Sequence, residues 1–330
     1  MNYQVTRLLR RFNSSSSTTA NAGESLASLV AKLRKETGAP IGKARTLLTQ
    51  HNNNYAAALA ALRDSSATVS EKMLARTAAE GLVAAFTAAS VNSTPPKSSF
   101  AGIVEINCES DFVARAADFA TLVDAVRPRI AADRVSLLPL ESKKSDEAHT
   151  FFHNVPSETL AAWSAAPPIS EQVAATIAKL GENIRVRRAI LSSSFAEDSI
   201  VYGAYAHGGS GAASPLCGKI AAIVALRVSP TTTAIETSDA LNKLARQIAQ
   251  QVVGFSPTHV HQVAGVDNES ILYLQPFLAG GGTVAEVLQE FGKVNSVNVE
   301  VLEFQRVVVG EGIIIEKKDF RDEVFAQLQR

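Results

Sequence analysis

Apolar positions along this chain switch between a helical period and a strand period, and the switches divide it into segments. Leu26, Leu29, Val30 and Leu33 recur at helical spacing. Residues 37–40 interrupt them, Ile41, Ala44 and Leu48 resume the pattern, and Tyr55, Ala58, Leu59 and Leu62 carry it again. The last group follows an Asn-rich turn at 52–54 in which Asn54 is a natural helix cap. Three short helices over residues 25–64 are predicted, a bundle with a thin core.

A strand period takes over at residues 81–89 and again at 100–108, with a proline-bearing hairpin loop expected at 92–99. In the second strand Val104, Ile106 and Cys108 point one way while Ile103, Glu105 and Asn107 point the other. A helix is predicted to start directly after it, with Ser110 as N-cap, Asp111 in the first turn, and Phe112, Ala116, Phe119, Val123 and Val126 on one stripe. Phe112 then has two readings: the first core residue of that helix, or an aromatic held out at a strand-to-helix corner.

Residues 127–170 are punctuated by Pro128, Pro139, Pro156, Pro167 and Pro168, and only Leu160 and Trp163 suggest an anchoring helix. Beyond them the order of the first half recurs. A strand at 184–191 closes that half. A strand pair at 200–207 and 218–228, a long amphipathic helix at 236–253 through Leu241, Leu244, Ile248 and Val252, and a returning strand at 297–309 make up the second.

Charge changes the picture at one end. Residues 1–23 hold Arg7, Arg10 and Arg11 and no acid, followed by a serine run, and drawn as a helix they place Met1, Val5, Leu8, Leu9 and Phe12 opposite the arginines. That is the pattern of a mitochondrial presequence. No apolar run approaches a membrane span of roughly 20 residues, so no membrane partner is expected. Basic and acidic residues balance at 32 each, and neither a basic excess nor interleaved aromatics points to direct nucleic-acid binding.

Enzyme chemistry finds little to work with. Cys108 and Cys217 are too few for a four-ligand metal site, and both sit in apolar strands. His259 and His261 lack a third ligand nearby. The glycines after His207 miss the phosphate loop, because Ala213 and Ile220 stand where glycine and Ser or Thr are needed. No catalytic residue, cofactor or metal is therefore expected.

Four runs resemble one family. Cys108-Glu109-Ser110-Asp111-Phe112-Val113-Ala114-Arg115 is similar to the Thr-Asp-Phe-Val signature of elongation factor Ts proteins, the guanine-nucleotide exchange factors of elongation factor Tu, with Ser in place of Thr. Residues 29–41 resemble the family's N-terminal module, Gly181-Glu182-Asn183-Ile184-Arg185-Val186-Arg187-Arg188 its Gly-Glu-Asn-Ile strand, and Val309-Gly310-Glu311-Gly312 its C-terminal strand end.

The resemblance implies an α+β fold: a ubiquitin-associated-like three-helix module at 24–66, a linker helix at 67–80, and a duplicated core with small antiparallel sheets, its halves at 81–193 and 194–330. It implies a mitochondrial member, lodged in the matrix and bound one-to-one to mitochondrial elongation factor Tu. It assigns partner contacts to Asp111, Phe112 and Val113, to Arg34, Pro40 and Ile41 in the module, and to His207 and Gly208. Residues 263–273 are short where bacterial members insert a helical hairpin. Non-enzymatic adaptors of ubiquitin-like proteins are the rival reading, resting on residues 25–64 alone.

Overall fold

The computed structural model describes residues 24–37, 39–67, 71–89, 98–138, 150–192, 199–209, 215–230 and 238–314. The expected presequence at 1–23, the polar stretch at 141–149 and most of the expected loop at 92–99 lie outside these residues. The chain divides into two compact units, residues 1–65 and 66–330.

The first unit is helical. α1 (Leu26–Thr37), α2 (Ile41–Gln50) and α3 (Tyr55–Ala67) enclose Leu29, Val30, Leu33, Ala44, Leu48, Ala58 and Leu62. Asn52 and Asn53 take left-handed φ angles of 51° and 60°, a conformation asparagine tolerates, and end α2. Asn54 Oδ1 then accepts from Ala57 N at 3.1 Å, opening α3 at the residue the sequence suggests.

In the second unit, α4 (Glu71–Leu74) precedes β1 (Glu80–Ala89) and β2 (Ser98–Cys108). Next come α5 (Asp111–Ala114), α6 (Ala117–Ala132), α7 (Arg134–Leu137), β3 (Phe152–Asn154), α8 (Ser157–Ala165), α9 (Ile169–Leu180) and β4 (Arg185–Ser192). The remainder is β5 (Ile200–His207), β6 (Cys217–Gly218), β7 (Ile220–Pro230), α10 (Ser238–Phe255), 3-10 turns at Asn268–Ser270 and Leu272–Leu274, α11 (Val284–Asn295) and β8 (Val297–Val308). One antiparallel sheet has the order β3-β4-β2-β1-β6 and the other β5-β7-β8.

Strand alternation builds the layers, because successive side chains point to opposite faces. Val83, Ala85, Ala101 and Ile103 meet Tyr202, Ala204, Ile223 and Ala225 in a core between the sheets. Leu82, Phe86, Val104 and Ile106 face outward onto Phe119, Val123, Leu160 and Ile177 of the first half's helices. Val224 and Leu226 face outward onto Leu241, Leu244, Ile248 and Val252 of α10. The result is an α+β fold, two small antiparallel sheets face to face with helices outside each.

Several expectations change. The helix after Ser110 is two helices, separated by Ala116 with an extended ψ of 141°. Pro128 does not end α6, which runs to Ala132. The proline-punctuated segment holds β3 and, beside the α8 suggested by Leu160 and Trp163, α9; Pro156 and Pro168 precede these helices directly, where a missing N–H costs nothing. Residues 217–218 do not continue β7. They pair with Val83 and Ala84 at the edge of the other sheet.

A buried carboxylate also stitches the halves together. Glu105, fully buried on β2, is held by Arg187 Nη1 at 3.1 Å, by Arg188, by Asn107 Nδ2 at 3.0 Å and by Gly310 N at 2.8 Å. Arg187 and Arg188 reach on to Glu311 O and Val308 O at 2.6 and 2.7 Å. Burial opposes the charge on Glu105, but the Gly310 N–H, Asn107 and Arg188 outweigh it and hold its carboxyl below the ordinary value. Two of the runs that carry the family resemblance therefore meet around one side chain.

Candidate functional site

The corner between β2 and α5 is shaped by its cap and by the break that follows. Ser110 is extended, at φ −121° and ψ 156°, and its Oγ accepts from Val113 N at 3.4 Å. α5 lasts four residues and closes with Arg115 N donating to Asp111 O at 3.2 Å. Ala116 N then donates to Val113 O, and the extended Ala116 redirects the chain before α6 begins. In an unbroken helix Phe112 and Phe119 would share a buried stripe. Here Phe119 is fully buried and Phe112 is 83% exposed.

That exposure is energetically unfavourable. A phenylalanine left in water forgoes about 1.5–3 kcal/mol of burial, and aromatic side chains of this kind serve as contact anchors because two rotors order cheaply. Val113, next in line, is half-buried against the first half's core, so the corner presents one aromatic and seats its neighbour. Asp111 pairs with Arg115 at 2.9 Å, an exposed pair that contributes little to stability but orients the carboxylate along α5.

A latch holds this corner from behind. Glu182 Oε2 accepts from Glu109 N at 3.1 Å and Ser110 N at 2.9 Å, and Glu182 Oε1 accepts from Ser110 Oγ at 2.5 Å. In return Glu109 Oε1 accepts from Asn183 N at 2.6 Å. Asn183 Nδ2 donates to Leu74 O at 3.1 Å and Arg76 O at 2.8 Å, tying in the end of α4. Gly181 ends α9 at a left-handed φ of 77°, which aims residues 182–183 at the corner. Glu109, Glu182 and Asn183 are absent from the sequence-derived contact set; their only signal is membership of the Cys108–Arg115 and Gly181–Arg188 runs, the second read as a strand.

Cys108 ends β2 beside the latch. Burial first, then the Glu182 charge, pushes its thiol up to about 12, and its Sγ donates to Ser110 O at 3.2 Å. Burial pushes Cys217 up to about 11. Neither thiol is a nucleophile near neutral pH.

His207 ends β5 and Gly208 follows it, and both are exposed. Lys219 N donates to His207 O at 2.7 Å, and a side chain on Gly209 or Gly218 would collide with the opposing backbone. The His207 ring stacks on Tyr205 at 6.4 Å, with Arg246 over the other aromatic at 5.5 Å. Lys219 Nζ also pairs with Glu80 at 2.7 Å, and Glu80 lies opposite Cys108 in the β1–β2 ladder. The His207 turn and the Phe112 corner therefore share one end of the five-stranded sheet. Residues 210–214 of the extended loop lie outside the described residues.

Arg34, Pro40 and Ile41 belong to the helical unit. Arg34 is exposed in the last turn of α1, and Pro40 caps α2 with its carbonyl accepting from Ala44 N at 3.0 Å. Ile41 is 62% exposed while Ala39 beside it is buried, so this turn presents an apolar tip. Among the described residues no cluster of His, Cys, Asp and Glu could hold a metal ion.

Comparison with known proteins places the chain among its relatives. The family pattern described as Elongation factor TS matches residues 109–273, beginning at the first residue of the corner. Elongation factor Ts, mitochondrial, of Nematostella vectensis is 32% identical over 311 residues, covering 86% of this chain and 98% of that protein. The protein of the same name from Coprinopsis cinerea is 34% identical over 315 residues, with 86% and 91% covered. Elongation factor Ts of Rhodospirillum rubrum is 28% identical over 347 residues, with 93% and 99% covered. With identities above 30% sustained over most of both lengths, this chain belongs to the elongation factor Ts family, the nucleotide exchange factors of translation elongation.

Proposed function

We propose that this protein acts in the mitochondrial matrix as a one-to-one partner of mitochondrial elongation factor Tu, binding its GDP form and speeding GDP release without covalent chemistry. The observation that carries the reading is the exposed Phe112 on a capped, latched corner, an apolar side chain built to enter another protein. Phe112 wedges between partner elements, Asp111 fixes the helix end beside it, and Val113 backs both. Exchange then follows from linkage: a partner that binds the nucleotide-free state more tightly weakens GDP binding by the same factor that GDP weakens partner binding. A coupling of about 1–3 kcal/mol is the usual scale, and exchange needs its upper end.

The turn carrying Arg34, Pro40 and Ile41 holds the partner's nucleotide domain as a ubiquitin-associated-like module. The His207–Gly208 turn holds a second domain. Two grips convert a local push into a rigid-body displacement. The mitochondrial address is supported by the arginine-bearing, acid-free residues 1–23 and by relatives named as mitochondrial.

The test is release of labelled GDP from mitochondrial elongation factor Tu. Wild-type protein should accelerate it strongly and Phe112→Ala only weakly; no acceleration by wild type over a broad concentration range overturns the proposal. Sedimentation of the mixture checks the one-to-one stoichiometry. Import of a reporter fused to the N-terminal segment checks the address.

A further inference from the structure

α5 is four residues long, far too short to hold itself in water, so the direction of Phe112 must be fixed from outside the helix. The last ladder pair of β2 is Cys108 with Glu80, which leaves the N–H groups of Glu109 and Ser110 beyond the sheet. Glu182 takes both, at 3.1 and 2.9 Å, on one carboxylate oxygen. Its other oxygen accepts the Ser110 hydroxyl proton at 2.5 Å, which turns a lone pair of that hydroxyl towards Val113 N at 3.4 Å.

These groups are only half-buried, so water could satisfy them with little loss of folding free energy. Water cannot hold their direction. Hydrogen bonds to a charged carboxylate are the stronger kind, and three of them converge on one side chain from three consecutive donors along the corner. The reciprocal bond from Asn183 N to Glu109 Oε1 at 2.6 Å stops the latch from swinging as a single hinge.

We propose that Glu182 is a positioning residue for nucleotide exchange: it acts through Ser110 to hold α5 so that Phe112 projects at a fixed angle into the partner. The proposal rests on Phe112 being the wedge. Glu182 itself touches no nucleotide and no reacting atom. Its loss leaves Phe112 present and exposed but free to turn, so the complex still forms through the other contacts while the push on the nucleotide site is lost.

The experiment measures catalysed GDP release from mitochondrial elongation factor Tu against exchange-factor concentration for wild type, Glu182→Gln, Phe112→Ala and the double variant. Glu182→Gln keeps the size of the side chain but replaces one acceptor with a donor. It should lower the maximal rate about tenfold while changing the half-saturating concentration less than about twofold. Added to Phe112→Ala it should cost nothing further, because both act through one side chain. Val252→Ala, a core lesion on the buried face of α10, serves as a control that lowers the melting temperature and should leave the maximal rate intact.

Phe112→Ala at wild-type rate overturns the wedge reading itself. A slow Phe112→Ala with a folded, fully active Glu182→Gln overturns only the positioning role, as does a Glu182→Gln penalty of equal size in both backgrounds. Should Glu182→Gln fail to fold, Ser110→Ala cuts the same relay and must show the same loss of maximal rate and the same absence of effect on Phe112→Ala.

Discussion

The two halves of the larger unit follow a sheet with a helix in different ways. In the second half α10 is one helix of 18 residues, and Leu241, Leu244, Ala245, Ile248, Ala249 and Val252 all go into the core. It lies so close to β5 that a side chain on Gly203 would collide with the carbonyl of Ala245. In the first half the corresponding stretch is cut after four residues at Arg115 and Ala116. α6 then packs as α10 does, through Phe119, Val123 and Val126, while α5 is left carrying Phe112 outward. One interrupted turn converts a packing element into a presenting one.

Phe119→Ala should produce the largest effect on that contrast. It truncates a fully buried aromatic and should cost about 3–5 kcal/mol, read by denaturant unfolding, with the surviving folded fraction still active in exchange. If Phe119→Ala were instead stable and inactive, the roles assigned to the two phenylalanines would be reversed.

Glu105→Ala should follow closely, at about 3 kcal/mol, because it leaves Arg187 and Arg188 facing a buried gap. The folded carboxyl sits below its ordinary value of 4.5, so the stability it adds is present above pH 4.5 and is lost as pH falls through the lower folded value. Unfolding curves recorded from about pH 6 to about pH 3 should lose part of their acid dependence in Glu105→Gln. Unchanged acid dependence in that variant would remove Glu105 as the titrating group.

Gly203→Ala tests the second half's close packing. Overpacking at a backbone contact should cost about 1–3 kcal/mol and slow exchange only as far as it unfolds the protein. The smallest stability effect belongs to Phe112→Ala, within about 0.5 kcal/mol of wild type, accompanied by a strong slowing of catalysed GDP release. A melting temperature lowered as far as in Phe119→Ala would restore Phe112 to the core and erase the difference between the halves.

Much of this fold is legible in the hydrophobic periods. The faces of β2, the Ser110 and Asn54 caps and the α10 stripe all follow from local spacing. The break at Ala116 does not, because Arg115 and Ala116 are ordinary helix formers and no glycine or proline marks the place. Around it Ala114 is buried and Val113 and Ala116 are half-buried, contacts that local spacing does not record. β6 is two residues long, too short to have a period. The latch joins Ser110 to a residue 72 positions away, and that pairing exists only once the sheet has formed. Phe112 itself was open to two readings for the same reason, since periodicity records spacing and not the direction in which a broken helix resumes.

The stitching of the sheets has a consequence for how the protein is made. Glu105 lies on the second strand of the fold, yet one of its donors is the N–H of Gly310, 205 residues later, and the edge of its sheet is completed by Cys217 and Gly218. Contacts of such long sequence separation form late, since the intervening loop must first be closed. A nascent chain therefore carries an incompletely partnered carboxylate in its first sheet until Gly310 has been translated. The halves resemble each other in order but share this bond, and a chain truncated before Gly310 would lose it from the middle of its first half.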